Sequence, residues 1–245
     1  MKHETVVQYL IEWLQEKVSA AGAQGVVLGL SGGIDSAVAA VIAKKAFPED
    51  CMAIMMPCQS PVTDILHSQM LVEQFDIPYR MVEIENAYNV LLPQFESFIK
   101  KDGADGKLLR ANIKPRLRMI TLYYSAQARN YLVLGTSNKS EISIGYATKH
   151  GDGAADLQIL GDLLKKEVYQ IAKYLEIPDV IIQKPPSAGL WPDQTDEAEM
   201  GITYEDLDRY LETGIGEPAV INRIQKMVSA SEHKRRLPPV PMIPR

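Results

Sequence analysis

Apolar positions recur at helical spacing at the start of the chain. Val6, Val7, Leu10, Ile11, Leu14 and Val18 predict an amphipathic helix over residues 3–21, with Gly22 and Gly25 at its end. The pattern then changes: residues 25–30 form a short continuous apolar run, the signature of a strand buried on both faces. A Ser/Gly loop leads into a helical pattern over 35–47. A second buried strand follows at 51–56, stopped by Pro57; a helix is predicted over 62–75 and a third strand over 79–84. Residues 93–109 carry Pro93, Gly103 and Gly106 and are expected to contain a loop. A helix over 115–129 precedes a fourth buried strand at 131–135, and a Gly- and Asp-rich loop occupies 150–156. Helical spacing returns at 162–175, 203–212 and 217–230, whereas 183–201 holds three prolines and no period. Alternating strand and helix predicts an α/β fold of three layers (α/β/α) on a mostly parallel, doubly wound sheet, with a helical C-terminal extension.

Composition narrows the class. The 245 residues suit one large domain or two small ones, and without a repeat or linker one domain over 1–245 is the economical reading. The chain is 46% hydrophobic and 23% charged, which excludes a disordered protein. A net charge of −5 argues against a general nucleic-acid binder. No apolar run reaches the ~20 residues of a membrane-spanning helix, and Glu4, Glu12, Glu16 and Lys17 break the N-terminus as a signal peptide. Cys51 and Cys58 cannot make a disulfide framework and lack further zinc ligands. The expected location is the cytoplasm.

The candidate chemistry starts at Gly29, Leu30, Ser31, Gly32, Gly33, Ile34, Asp35 and Ser36, between a buried strand and a helix. Such a junction aims backbone N–H groups and a helix dipole at one point, an anion site. Asp35 would repel a bound phosphate unless a cation intervened, which suggests Mg²⁺. Other readings stand beside this one. The stretch can be a plain Gly/Ser turn. Gly29-Leu-Ser-Gly-Gly33 also matches the nucleophile elbow of a hydrolase with Ser31 attacking, although no earlier strand would supply the oxyanion loop. The Walker lysine motif is absent. Cys58 after Pro57, at a strand end, leaves a thiolase reading.

Ser31-Gly-Gly-Ile-Asp-Ser36 after a buried strand resembles the pyrophosphate loop of N-type ATP pyrophosphatases. Further segments resemble the ammonia-dependent NAD synthetases in order and spacing. They are Asn112-Ile-Lys-Pro-Arg-Leu-Arg-Met119, Leu134-Gly-Thr-Ser-Asn-Lys-Ser-Glu141, Gly145-Tyr-Ala-Thr-Lys-His-Gly-Asp152, Lys184-Pro-Pro-Ser-Ala-Gly-Leu-Trp191, Asp193-Gln-Thr-Asp-Glu197 and His233-Lys-Arg235. The resemblance implies ATP-dependent amidation of deamido-NAD by free ammonia, through an adenylated nicotinate carboxylate, with release of AMP and pyrophosphate. Other members of the superfamily, acting on xanthylate or on tRNA, are the alternative, as is a nucleotide-binding module without turnover.

By resemblance, ATP contacts the 29–36 loop, Thr136, Lys165 and Ser187, and Mg²⁺ is held by Asp35 and Glu141. Read alone, Asn138-Lys-Ser-Glu141 is also a helix capping box, and Lys165-Lys166 is also a solvated pair. Arg116, Lys149, Asp156, His233 and Lys234 are expected at deamido-NAD. Gln158-Ile159 departs from the family's Asn-Pro pair, and residues 98–109 match nothing in it. The resemblance also implies a homodimer, for which the N-terminal helix, with Trp13, and the apolar faces of the middle helices could supply an interface. The matches span 29–235 and leave no room for a glutaminase, so ammonia is the expected nitrogen source. Residues 187–201 are expected to form a mobile lid that excludes water.

Overall fold

The structure, a computed structural model, describes residues 2–99, 106–191 and 194–243. The chain opens with helix α1 (His3–Ala20), then β1 (Gly25–Gly29), α2 (Ile34–Ala46), β2 (Cys51–Met55), α3 (Val62–Gln74) and β3 (Tyr79–Met81). The middle holds α4 (Glu85–Glu96), α5 (Gly106–Ala111), α6 (Ile113–Arg129), β4 (Tyr131–Gly135), α7 (Lys139–Ile144) and β5 (Leu157–Gln158). Then come α8 (Lys165–Tyr174), α9 (Asp179–Ile182), α10 (Asp196–Met200), α11 (Tyr204–Thr213), α12 (Pro218–Ala230) and α13 (Glu232–Arg235).

The strands form one five-stranded sheet in the order β3-β2-β1-β4-β5, and every pairing is parallel. The chain winds outward from β1 to β3, then returns to place β4 on the other side of β1. The crevice beyond the C-terminal ends of β1 and β4 is therefore the topological switch point, where open α/β sheets bind ligands.

Alternation along β1 builds both outer layers. Val26 and Leu28 face the larger core, made with α1, α2, α3 and α8. Val27 faces the other side, where Tyr88 of α4 and Ala126 of α6 pack with Met52, Ile54 and Val133. Each large apolar side chain fully buried here contributes about 1.5–3 kcal/mol. A third cluster, Ile144, Met200, Ile202, Tyr204, Leu207 and Ile224, joins α7, α10, α11 and α12 as the C-terminal extension. Trp13 packs against the chain's own main core rather than standing out from it. Among the described residues no helix is long and apolar enough to cross a membrane.

The structure corrects several expectations. The stretch 93–109 is not simply a loop: α4 runs through Pro93 to Glu96 and α5 starts at Gly106, with 100–105 outside the described residues. The third strand stops at Met81, because it is an exposed edge strand without the burial that sustains a long one. The helix predicted from 162 begins at Lys165, since Leu164 is extended (ψ 156°) and its N–H bonds the Glu167 carboxylate at 2.8 Å.

Candidate active site

Three segments converge at the switch point. The first is the loop between β1 and α2. The Ser31 N–H and Oγ reach Ser36 Oγ at 3.2 and 3.0 Å, Ser36 Oγ donates to the Gly33 carbonyl at 2.9 Å, and the Gly33 N–H donates to Ser31 Oγ at 3.3 Å. These bonds fold the loop around its own hydroxyls and carry Asp35 into the first turn of α2. Gly32 has φ +76°, and a Cβ there would collide with the carbonyl of Asp64, so only glycine fits. Ser31 Oγ is engaged with Ser36 and Gly33, not with a histidine, so the geometry lacks the base that a hydrolase nucleophile requires.

The second segment follows β4. Asn138 caps α7: its side chain accepts from the Glu141 N–H at 3.0 Å, and its own N–H donates to Glu141 Oε2 at 3.2 Å. The capping box exists, yet it uses only one carboxylate oxygen of Glu141. Oε1 faces the site, 3.2 Å from Lys165 Nζ. The Asn138 amide also donates to Asp35 Oδ1 at 2.8 Å, tying the two segments together.

The third is the start of α8. Lys165 Nζ lies 2.6 Å from Asp35 Oδ2, and the lysine side chain is 2% exposed against 18% for Asp35 and 14% for Glu141. Ser140 of α7 and Asp208 of the extension fix it there. Asp208 of α11 bonds Ser140 Oγ and accepts from the Lys166 N–H at 2.8 Å, while the Lys165 N–H donates to Ser140 Oγ at 3.0 Å. Lys166 turns outward to Glu212, so the solvated reading of the pair holds for it and fails for Lys165.

The electrostatics follow from burial. Desolvation and the adjacent Asp35 push the Glu141 carboxyl up to about 7 despite Lys165. Burial works against the Lys165 ammonium, but Asp35 and Glu141 outweigh it and hold the group charged. Burial and the carboxylates Glu141 and Asp196 keep Tyr204 a protonated donor, which bonds Glu141 Oε1 at 3.2 Å and Asp196 Oδ2 at 3.0 Å. Burial likewise raises Asp196, which accepts a second bond from Tyr146 at 3.1 Å. This acid-rich pocket requires positive charge.

Asp35 and Glu141 are the carboxylates here that could hold a magnesium ion. Among the described residues no cluster of three or more His, Cys, Asp or Glu side chains surrounds a common point. Two oxygens facing one buried cation, without a full cage, suit Mg²⁺, which takes one or two carboxylates and completes its shell with phosphate and water.

The three segments meet at one cavity of about 720 Å³, within the usual range for ligand sites of about 300–1,000 Å³. Of the sequence candidates, Gly29, Leu30, Ser31, Gly33, Ile34, Asp35, Ser36, Thr136, Glu141, Lys165, Ser187, Arg116, Lys149, His233 and Lys234 line it, and Gly32 backs it against Asp64. At its far end Arg116 reaches the Lys149 carbonyl at 3.4 Å, Lys149 Nζ the His233 carbonyl at 2.7 Å, and Lys234 Nζ the carbonyls of Gly145 and Ala147 at 2.8 and 2.7 Å. Asp156 is not brought in. It lies outside the cavity, accepting from the Val133 N–H at 2.8 Å and from the Tyr123 hydroxyl at 3.3 Å. Asp193, quoted in a motif above, is outside the described residues.

A family model for NAD synthase matches residues 6–238. The chain belongs to the NAD synthase family. It is 63% identical to an NH₃-dependent NAD⁺ synthetase from Syntrophomonas wolfei, covering 100% of this chain and 98% of that one. Among solved structures it is similar to an NMN synthetase from Francisella tularensis, at 38% identity and a TM-score of 0.94 over 99% and 100% of the two chains. An NH₃-dependent NAD synthetase from Campylobacter jejuni matches at 31% identity and a TM-score of 0.80, over 99% and 100%.

Sequence reasoning gave no site role to several residues that this NAD synthase fold places at the site, although some lie in the quoted segments: Asn138, Tyr146, Asp196, Tyr204 and the pair Lys184–Asp64. Asp196 opens an acidic first turn, Asp196, Glu197 and Glu199, that reads as a solvated helix start. Its burial was visible only once α10 docked on the third core cluster.

Proposed function

We propose that this chain converts deamido-NAD to NAD with ATP and free ammonia. The observation that carries the reading is the buried ammonium of Lys165 between Asp35 and Glu141, beside a phosphate-type loop. A nicotinate carboxylate resists ammonia because its oxygen is a poor leaving group. In the proposed sequence that oxygen attacks the α-phosphorus of ATP and pyrophosphate departs. Ammonia then adds to the acyl carbon, loses a proton, and expels AMP to leave the amide. The chain needs no covalent nucleophile; it supplies orientation and charge. The loop N–H groups and the start of α2 receive the pyrophosphate, with Thr136 and Ser187 at ATP and Lys165 offsetting phosphate charge. Asp35 and Glu141 would hold Mg²⁺, which would supply positive charge opposite the transferring phosphate. Arg116, Lys149 and Lys234 form the cationic end that takes the nicotinate nucleotide, with His233 beside them. Purified protein given deamido-NAD, ATP, Mg²⁺ and ammonium is expected to yield NAD, AMP and pyrophosphate; ADP as product would sink the reading. Glutamine in place of ammonium is expected to give no NAD.

A second acceptor is favoured by one observation, the TM-score of 0.94 with an NMN synthetase. The mononucleotide carries the same carboxylate, so the chemistry is shared. Comparing kcat/KM for nicotinate mononucleotide and deamido-NAD decides between them.

A homodimer is proposed through the outer side of α4–α6. On α6, Ile120 and Tyr124 are 59% and 76% exposed, one helical turn apart, and Val90 and Leu109 add exposed apolar surface on α4 and α5. Asp156 bonds Tyr123 on the same helix, so a partner on this face would bring Asp156 within reach of a shared dinucleotide site. Tyr124→Asp is expected to shift sedimentation from dimer to monomer and to raise the KM for deamido-NAD.

The proposed lid is shorter than 187–201. Its second half contains α10, with Met200 buried in the third core cluster, which leaves residues 187–191 as the described part proposed to move. Lys114 of α6 donates to the Leu190 carbonyl at 2.9 Å and is the latch. Limited proteolysis near Gly189 is expected to slow when ATP and deamido-NAD are both added, and Lys114→Met to remove that protection.

A further inference from the structure

We propose that Lys184 is a second cation for the pyrophosphate end of ATP, held facing the phosphate loop by Asp64; the inference rests on the ATP-cleaving reading above. Lys184 heads the strap over the cavity, and its Nζ lies 2.5 Å from Asp64 Oδ1, with both side chains largely buried. Asp64 stands in the first turn of α3. Its carbonyl abuts Gly32, the one residue of the loop forced to positive φ, and its second oxygen faces Gly189 of the strap. Asp64 is thus wedged between the loop and the strap, and Ser31, Gly33, Asp64, Lys184, Ser187 and Gly189 line the same cavity.

Charge gives this arrangement its meaning. A carboxylate packed on a phosphate loop opposes phosphate binding unless it is neutralised. Lys184 neutralises it. A partly buried ion pair adds little net stability, because desolvation offsets the attraction, so stability alone is a weak reason for the pair. The lysine side chain supplies what an anion needs: three donors on a flexible stem, with one carboxylate partner among the described residues. Lys165, by contrast, already meets two carboxylates. When triphosphate enters, Lys184 keeps one bond to Asp64 and gives another to an oxygen of the departing pyrophosphate, drawing the strap down as it does so.

The test compares Lys184→Gln, Lys184→Arg and Asp64→Asn with the unaltered chain in the amidation assay, reading kcat, KM and product inhibition by inorganic pyrophosphate and by AMP. Loss of one charge-stabilising donor typically costs about 10²–10³-fold in kcat. Lys184→Gln is expected to lose about that much and to raise the pyrophosphate inhibition constant about tenfold. AMP inhibition and the KM of the acceptor stay unchanged. Lys184→Arg restores most of the turnover, and Asp64→Asn loses far less than Lys184→Gln. Equal losses in Lys184→Gln and Asp64→Asn, with unchanged pyrophosphate inhibition, would show that the pair only fastens the strap and would overturn the proposal. On the unaltered chain, inorganic pyrophosphate with Mg²⁺ is expected to slow acetylation of Lys184, read by mass spectrometry; an unchanged rate counts against the proposal even if the variants fail to fold. Production of ADP by the unaltered chain would strike the ATP-cleaving reading itself. AMP and pyrophosphate from that chain, with pyrophosphate inhibition unmoved in Lys184→Gln, would strike only the role of Lys184.

Discussion

Asp35→Ala and Glu141→Gln are each expected to lower the rate of adenylation about 10³-fold while leaving deamido-NAD binding nearly intact, the size of loss seen when one main electrostatic contact to a transition state is removed. Both residues face the same buried cation site at the ends of β1 and β4, whereas Arg116, Lys149 and Lys234 lie at the other end of the cavity. Pyrophosphate burst kinetics measures the first property and equilibrium dialysis of deamido-NAD the second. Equal loss of both would contradict the assignment. Glu141→Gln is the sharper variant, because glutamine keeps the oxygen that accepts from the Asn138 N–H. A defect there reports charge rather than a broken helix cap.

The second large effect concerns Lys165. Removing its ammonium leaves Asp35, Glu141 and Asp196 close together in a buried pocket without their shared counter-charge. Breaking a buried ion pair by removing one partner costs about 3–5 kcal/mol. Lys165→Met is therefore expected to lower the thermal midpoint markedly and to abolish turnover. Added Mg²⁺ should raise the midpoint of this variant more than that of the unaltered chain, since the ion restores positive charge between the two carboxylates. Lys166→Met, at the surface with Glu212, should leave the midpoint and the activity unchanged. Scanning calorimetry with and without Mg²⁺ reads both. A Mg²⁺ response equal in Lys165→Met and the unaltered chain would separate the lysine site from the metal site.

These predictions differ in how far the chain alone supports them. The buried strands were legible because a sheet covered on both faces needs continuous apolar runs, as in residues 25–29 and 131–135. The first helix was legible from its buried stripe, and the second from its helical pattern after the Ser/Gly loop. Helix α4 was not: its apolar Val90 and Phe95 stay exposed, only Tyr88 is buried, and Pro93 reads as a stop. Helix α7 is too short to show a period, and β5 spans only Leu157–Gln158.

The site divides the same way. The 29–36 loop is contiguous and announces itself. Lys165 does not, because a Lys-Lys pair gives no sign of which lysine is inside; that depends on Asp208, forty-two positions from Lys166, holding the start of α8. The ambiguity at Glu141 resolves through its two oxygens, one for the cap and one for the site. The tie between Lys184 and Asp64 joins residues 120 positions apart, and no local pattern carries it. Nor is the net charge of −5 a measure of the cavity, whose cations are gathered from α6, α8, α13, the 145–152 turn and the strap that carries Lys184.

The central claim is that the nicotinate carboxylate is activated by transfer of AMP to one of its oxygens. Deamido-NAD labelled with ¹⁸O in that carboxylate tests it directly, by mass spectrometry of the nucleotide products after one turnover with ATP and ammonium. The account predicts one labelled oxygen in AMP. Label in inorganic phosphate, or its absence from AMP while NAD accumulates, would contradict it.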